Sequence, residues 1–231
     1  TSGTLGMVTA GGRLFYLLDE GPSHMLDVPE RWSLVARDAF NGALLWKRPL
    51  TGYGHDLFEM NNPGRPNAGA TWRSPLSVNR RLVAAGDRLV ASLRYRNGPL
   101  TILDAATGET LHELDLGGSV DEIIVDGDLA IVRVRGEIPE THGIEKPRWP
   151  GDRQKYQVLL DRVKPRYYGY LTNQKTEKIA AIDIASGKQA WEHETKPVAH
   201  QTLAALGDRV CYHDYESLVA LDKATGKTVW K

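Results

Sequence analysis

Three pairs of adjacent residues carry side chains that could do acid–base or metal chemistry: His55-Asp56, His213-Asp214 and Asp121-Glu122. A histidine beside an aspartate suggests a proton-transfer pair, and two neighbouring carboxylates suggest a cation site. His213-Asp214 follows an apolar strand-like stretch, Asp121-Glu122 opens one, and His55-Asp56 lies in a loop-like stretch. Adjacent residues of a strand point to opposite faces of a sheet, so adjacency alone builds no catalytic pair.

Longer motifs that identify an enzyme or a metal site are absent from the sequence. It contains no zinc-ligand spacing, no Ca²⁺ loop, no phosphate-cradling glycine loop and no nucleophile elbow. Its single cysteine, Cys211, excludes an intrachain disulfide, and the apolar residues around it predict a buried, inert thiol. The sequence therefore predicts no catalytic residue, no metal and no cofactor.

The elements that must position these residues are indicated by a phrase that occurs four times. In each copy a short apolar run ends at an aspartate, a glycine follows four residues later, and a large ring follows the glycine after four more. The aspartate accepts hydrogen bonds from the turn amides, and the glycine supplies a positive φ, so each copy predicts a β-hairpin. The glycines are Gly42, Gly108, Gly187 and Gly226, and the rings are Trp46, His112, Trp191 and Trp230.

A second series of turns alternates with these hairpins and begins at Gly12, Gly86, Gly127 and Gly207. One turn of each series makes a unit of about 39 residues, the size of one four-stranded propeller blade. The chain is therefore predicted to be all-β, with residues 1–231 forming a single β-propeller segment. Its four blades of four antiparallel strands are placed at about 1–50, 75–115, 116–195 and 196–231.

The hairpin phrase closely resembles the pyrroloquinoline-quinone (PQQ) type repeat of bacterial propellers, and the resemblance covers the chain outside its insertions. It implies that Trp46, Trp191 and Trp230 are plugs buried at the joints between blades, with Gly42, Gly108, Gly187 and Gly226 as structural turn positions. His112 departs from the pattern, so we expect a looser joint there. The resemblance also implies a larger ring of about eight blades, and a periplasmic, cell-envelope or secreted location.

Composition restricts the partners. Lysine and arginine together number 29, as do aspartate and glutamate, so no net charge favours nucleic acid. No apolar run is long enough to span a membrane. Four blades of a larger ring would expose apolar end faces. The remaining blades are therefore expected from the same protein or from a second copy in a homodimer.

Three insertions interrupt the repeats, a short one between positions 12 and 42 and two longer ones at about 51–75 and 136–176. The last of them interleaves basic and aromatic residues, a composition suited to a protein or polymer partner. Covering the outer edge of the blade is the alternative role. If the insertion binds a partner, the predicted anchors are Arg148, Trp149, Arg166, Tyr167 and Tyr168.

Arg37 is the sharpest departure inside a repeat, because Leu103, Ile182 and Leu221 occupy its position in the other blades. A guanidinium at a core position requires a paired carboxylate or contact with the water of a channel. Arg37 is therefore predicted either to pair with an acidic residue or to line the central channel and contact a ligand.

Three classes of function follow. The first is a non-catalytic binding or scaffold propeller, as in the outer-membrane assembly lipoprotein built from similar repeats. The second is a fragment of a quinoprotein (PQQ-dependent) dehydrogenase. Such enzymes stack the quinone on a disulfide of adjacent cysteines and bind Ca²⁺ through Glu, Asn and Asp. A chain with one cysteine cannot form that disulfide. The third is a regulatory propeller joined to a catalytic domain, such as a methyltransferase, outside this chain. Because the sequence lacks that disulfide and the motifs of an enzyme, the first class, a binding or scaffold propeller, is favoured.

Overall fold

A computed structural model describes residues 3–21, 31–51, 53, 80–94, 97–136 and 177–231. Within these ranges, sixteen strands form four antiparallel sheets, and each sheet contains four strands that are consecutive in the sequence. The sequence-based prediction of four four-stranded blades is confirmed.

The first two blades precede the larger insertion. Blade 1 contains β1 (Gly3–Ala10), β2 (Arg13–Asp19), β3 (Trp32–Asp38) and β4 (Leu44–Pro49). Blade 2 contains β5 (Leu82–Ala85), β6 (Arg88–Ser92), β7 (Leu100–Asp104) and β8 (Thr110–Leu114).

The other two blades complete the described chain. Blade 3 contains β9 (Ser119–Asp126), β10 (Leu129–Arg135), β11 (Glu177–Asp183) and β12 (Gln189–Thr195). Blade 4 contains β13 (Ala204–Leu206), β14 (Arg209–His213), β15 (Leu218–Asp222) and β16 (Thr228–Trp230).

The first strand of each blade is the innermost. β1 contacts β5, β5 contacts β9 and β9 contacts β13, so the four first strands adjoin one another in sequence order. The apolar core lies between blades rather than within them. Three clusters of buried side chains fill the joints between blades 1 and 2, blades 2 and 3, and blades 3 and 4. Each blade is therefore stabilised mainly by its neighbours.

The hairpin between the third and fourth strands forms as its sequence predicts. In blade 1, the carboxylate Oδ1 of Asp38 accepts hydrogen bonds from the amides of Phe40 (2.8 Å) and Asn41 (2.9 Å). Gly42 has a φ of +75°, a value that favours glycine. The hydrogen bonds from Asn41 and Phe40 lower the pKa of Asp38. The same aspartate-centred turn recurs in the other blades, at Asp104, Asp183 and Asp222.

The tryptophan that follows each interior hairpin plugs the joint to the next blade. Trp46 donates its indole N–H to the carbonyl oxygen of Ala105 (3.1 Å) in blade 2. A Cβ atom at Gly108 would lie 2.8 Å from the Trp46 ring, so only glycine leaves room for the plug. Trp191 likewise donates to the carbonyl of Lys223 (2.8 Å) in blade 4. The hairpin glycine of each following blade thus forms the surface on which the plug rests.

His112 makes the same kind of joint between blades 2 and 3. Its Nε2 lies 3.0 Å from the carbonyl oxygen of Ala185, and its ring packs against Gly187. The imidazole is smaller than an indole, but the contact falls on the same part of the next hairpin. The joint therefore keeps its arrangement where we expected it to loosen.

Trp230 differs from the other plugs. Its side chain is 46% exposed, whereas Trp191 is 7% exposed. The prediction that Trp230 is a buried plug is therefore wrong for this chain, because no following blade among the described residues covers it. Gly42 shows the complementary situation, since no atom of the described residues lies within 4 Å of the position that its Cβ would occupy.

Candidate binding face

The long insertions all leave from the same face of the propeller. In an antiparallel meander, the connection between the second and third strands and the connection to the next blade emerge at one edge. Residues 22–30 connect β2 to β3, residues 54–79 lie between β4 and β5, and residues 137–176 connect β10 to β11. We call this edge the insertion face. The tight glycine turns lie at the opposite edge, which we call the hairpin face.

A buried network of ion pairs lies beneath the insertion face. Asp121, on β9, binds Arg81 and also accepts a hydrogen bond of 2.9 Å from Nη1 of Arg135. Glu177, at the start of β11, accepts two hydrogen bonds from Arg133, one of 2.6 Å from Nε and one of 2.8 Å from Nη2. Nε of Arg135 also lies 3.8 Å from Oε1 of Glu177. Arg135 therefore joins the two carboxylates into one network.

The network also links three blades. Arg80 and Arg81 precede β5 of blade 2, and they pair with Glu122 and Asp121 of blade 3. Glu122 accepts a hydrogen bond from the amide of Gln201 (3.1 Å), which leads into blade 4. Glu177 accepts another from the amide of Val198 (3.0 Å). These contacts fix the relative positions of blades 2, 3 and 4 at the insertion face.

The charges of this network keep Asp121 ionised. Burial alone would raise the pKa of Asp121, but the positive charges of Arg81, Arg135 and Arg133 outweigh this effect and lower it. His200 lies at the solvent edge of the network, with Nδ1 3.2 Å from Nη1 of Arg133. Desolvation, followed by the charge of Arg133, lowers the pKa of His200. The neutral ring can then accept a hydrogen bond from Arg133.

Two of the three residue pairs considered for chemistry lie in the described residues, and their acidic members have structural roles. Asp121 and Glu122 both bind arginine. Oδ1 of Asp214 accepts the amides of Glu216 (3.1 Å) and Ser217 (2.7 Å) in a turn, and Oδ2 binds Lys231 at 2.7 Å. The hydrogen bond from Lys231 lowers the pKa of Asp214 to about 2. His55-Asp56 lies outside the described residues. In the part of the chain that the structure describes, no group of three or more histidine, cysteine or acidic side chains could hold a metal ion.

Arg37 lies away from the innermost strands. It belongs to β3, the third strand of blade 1, near the hairpin face. Its Nε donates to the hydroxyl of Tyr16 (2.8 Å), and its Nη1 donates to the carbonyl of Gly42 (2.7 Å). These partners belong to its own blade and are not carboxylates, so the contacts of Arg37 differ from the acidic partner and from the channel-lining position predicted for it.

The predicted partner-binding anchors lie outside the described residues. These are Arg148, Trp149, Arg166, Tyr167 and Tyr168, all within the 137–176 segment. The residues on which that segment is mounted, Arg135 and Glu177, were missed by sequence reasoning. Arg133 and Arg135 alternate with valine at the end of the otherwise apolar strand β10. This pattern is the sequence feature that indicates buried charge in blade 3.

No helix among the described residues is both long enough and apolar enough to cross a membrane. Comparison with known families matches residues 170–231 to the family described as "Outer membrane protein assembly factor BamB". The chain is 27% identical over 197 residues to a polyvinylalcohol dehydrogenase of Sphingopyxis sp. (strain 113P3). That match covers 79% of this chain and 29% of the relative.

Solved structures share the fold at low sequence identity. A quinohemoprotein alcohol dehydrogenase of Pseudomonas putida superposes with a TM-score of 0.52 at 13% identity, covering 99% of this chain and 35% of that one. The acylaminoacyl peptidase of Pyrococcus horikoshii gives a TM-score of 0.54 at 8% identity, covering 100% and 33%. The chain thus spans about a third of these larger proteins. Its repeats and these matches together show a β-propeller of PQQ-like repeats, similar to the BamB family over residues 170–231 and to a polyvinylalcohol dehydrogenase along most of the chain.

Proposed function

We propose that this chain is a non-catalytic binding propeller that holds a protein or polymer partner at the insertion face. One observation carries this proposal. Arg135 is the last residue of β10 and Glu177 is the first residue of β11, so they flank the 137–176 segment, and both belong to the buried ion network. The largest insertion therefore starts and ends on a rigid base, as binding loops on a scaffold do.

The other insertions have bases of the same kind. The 54–79 segment ends directly at Arg80 and Arg81, which bind the buried carboxylates of Glu122 and Asp121. The 22–30 segment lies between Gly21 and Arg31, whose amides both donate to the buried Asp19, at 2.8 and 3.2 Å. Buried charge is costly unless it is fully paired, and here it is placed where the insertions attach. This arrangement supports a platform that holds recognition segments in fixed positions.

The recognition residues in this proposal are Arg148, Trp149, Arg166, Tyr167 and Tyr168. Arginine and large aromatic side chains supply most of the binding energy at protein interfaces. Loops beyond about 15 residues are uncommon as simple connections. The outer-membrane assembly family that matches residues 170–231 supports a partner in the cell envelope, and we place the chain there as part of the proposal.

The test replaces residues 137–176 by a short glycine-containing turn and keeps Arg135 and Glu177. A second variant keeps the segment and changes the five anchor residues to alanine. Each protein is immobilised and exposed to an envelope extract of the source organism, and bound proteins and polysaccharides are quantified. We expect both variants to keep the melting temperature of the unmodified chain. Each should capture at least about tenfold less material, as expected when hot-spot residues are removed.

The matched control is Leu206→Ala, which changes an 86% exposed residue at the opposite, hairpin face. This variant should capture as much material as the unmodified chain. Equal capture by the unmodified chain and both insertion variants would refute the proposal. Failure of the shortened variant to fold, combined with unchanged capture by the alanine variant, would assign the insertion a structural role.

A dehydrogenase fragment is the second candidate, supported by the 27% identity to a polyvinylalcohol dehydrogenase. The described residues do not fit PQQ with Ca²⁺ as those enzymes hold them. Asp121, Glu122 and Glu177 already bind arginine, and Cys211 is the single cysteine of the chain, so it has no adjacent cysteine with which to form a disulfide. A regulatory propeller joined to a catalytic domain, the third class, is compatible with the same platform.

A further inference from the structure

The connection between blades 3 and 4 lies directly on the buried ion network. Residues 198–203 lie between β12 and β13, and we call them the strap. The amide of Val198 donates to Oε2 of Glu177 (3.0 Å), and the amide of Gln201 donates to Oε2 of Glu122 (3.1 Å). The backbone of the strap is therefore attached to two carboxylates of the network, and both carboxylates belong to blade 3.

The side chain of His200, in the middle of the strap, makes a further attachment. Its Nδ1 lies 3.2 Å from Nη1 of Arg133. A guanidinium donates hydrogen bonds and never accepts them, so Nδ1 must be the acceptor and must carry no proton. Nε and Nη2 of Arg133 both donate to Glu177, so the strap uses the remaining nitrogen. This contact therefore requires a neutral imidazole ring.

The charges around the ring offer no free carboxylate to a protonated His200 among the described residues. The network contains four arginines and three carboxylates. The arginines are Arg80, Arg81, Arg133 and Arg135, and the carboxylates are Asp121, Glu122 and Glu177. Each carboxylate already binds at least one arginine. An imidazolium would therefore be a fifth cation beside three anions, and its Nδ1–H would face an N–H of Arg133.

The other charged or titratable groups beside the strap have partners of their own. The carbonyl of His213, at the end of β14, accepts the amide of Ala199 (2.8 Å), and Nδ1 of His213 accepts the amide of Tyr215 (3.0 Å). Lys196 pairs with Glu216 at 2.6 Å. His213 is therefore the second histidine in contact with the strap, and an experiment must separate it from His200.

We propose that the strap is a pH-sensitive switch, which lies on the network while His200 is neutral and is released when Nδ1 of His200 takes up a proton. Protonation removes the acceptor for Nη1 of Arg133 and brings two cations together, so the ring leaves Arg133. The strap then keeps only its backbone contacts and opens more often. Burial, followed by the charge of Arg133, lowers the pKa of His200, which agrees with a ring held in its neutral form.

The direction and the size of the effect follow from proton linkage. The attached ring binds a proton less tightly than the released ring. Its contribution is therefore complete above the ordinary histidine pKa of about 6.5 and is lost as pH falls through the lower pKa of the attached ring. At about pH 5 this can favour opening of the strap by at most about 30-fold. Asp121 stays ionised in this interval, because its pKa is lowered from 3.8.

The switch also acts on the base of the largest insertion. Glu177, the first residue of β11, binds both Arg133 and the amide of Val198. Release of the strap removes one of these contacts, so partner capture at the insertion face should weaken in acid. This consequence rests on the proposed function, whereas the switch itself is measured without a partner. A working switch with capture that does not depend on pH would therefore count against the proposed function alone.

The test is amide hydrogen exchange of the 231-residue chain, followed by NMR at about pH 7.5 and about pH 5 and corrected for the intrinsic effect of pH. We expect the protection of the Val198 and Gln201 amides to fall by at least about threefold at the lower pH, within the limit set by linkage. The amide of Ile102, inside blade 2, should keep its protection, since it lies in a buried strand away from the strap.

Three variants separate His200 from other groups. His200→Gln keeps a hydrogen-bond acceptor that takes up no proton in this interval, so the strap amides should stay protected at both pH values. His200→Lys carries a permanent cation and should lose protection already at about pH 7.5. His213→Gln is the matched control and should keep the pH response of the unmodified chain.

Equal protection of the strap amides at both pH values in the unmodified chain would overturn the proposal. A full pH response in His200→Gln would overturn it as well, because another group would then be responsible. Strap amides of His200→Lys that are as protected at about pH 7.5 as those of the unmodified chain would show that a cation at this position does not release the strap, and would also contradict the proposal.

Discussion

Replacing Trp191 by alanine is expected to lower the free energy of unfolding by about 3–5 kcal/mol. Trp191 is almost fully buried between blades 3 and 4, and its ring rests on Gly226. The substitution removes a large apolar side chain and leaves the carbonyl of Lys223 without its indole donor. Because Gly226 has no side chain, the cavity cannot be refilled from that side. Urea denaturation followed by circular dichroism measures the loss.

Leu111→Ala is the control for this substitution, because Leu111 lies on the outer strand of blade 2 and is partly exposed. Its effect should stay within about 0.5 kcal/mol, as for surface substitutions away from special contacts. A loss below 1 kcal/mol for Trp191→Ala would contradict the assignment of this tryptophan as the plug between blades 3 and 4.

Changing Asp121 to asparagine is expected to cost about 3–5 kcal/mol, the range for breaking a buried ion pair by removing one partner. Asp121 is fully buried and binds both Arg81 and Arg135. Asparagine has nearly the same shape but no charge, so two arginines would lose their carboxylate without a change in packing volume. The melting temperature should fall by about 10 °C for a domain of this size.

Glu216→Gln is the matched control, because it removes a carboxylate that pairs with Lys196 at 2.6 Å on the exposed surface. Exposed pairs contribute at most about 1 kcal/mol. A similar, small effect for both substitutions would show that the buried network does not hold blades 2 and 3 together.

The lowered pKa of Asp121 also predicts how stability depends on pH. The folded state binds the proton of this carboxyl less tightly than the unfolded chain does. Its contribution to stability is therefore complete above the unfolded pKa of about 4 and is lost as pH falls through the lower pKa of the folded state. Acid titration of stability should show a smaller loss in this range for Asp121→Asn than for the unmodified chain. Identical acid profiles would contradict this assignment.

The hairpins could be predicted from the sequence because their information is local. Aspartate, glycine and tryptophan recur at fixed spacing, and each residue has one physical role in the turn or in the joint that follows. The exposure of Trp230 could not be predicted in the same way. Its sequence context matches that of Trp191, but burial depends on whether a following blade lies against it.

The ion network could not be predicted because most of its partners are distant in the sequence, and some of them belong to different blades. Arg133 lies 44 residues from Glu177, and Arg81 lies 40 residues from Asp121. Comparing the repeats identified Arg37, because the other three blades have aliphatic residues there. The same comparison gives no signal at Arg133, whose position holds Leu17, Ser92 and His213 in the other blades.

The central claim is that this propeller binds a partner at its insertion face without the quinone cofactor of the enzymes it resembles. The most direct measurement is a titration of the chain with PQQ in the presence of excess Ca²⁺, following the absorbance of the quinone. Because Asp121, Glu122 and Glu177 already bind arginines and the chain has one cysteine, we expect no saturable change at micromolar concentrations. Saturable binding of one quinone per chain would contradict the account and favour the dehydrogenase.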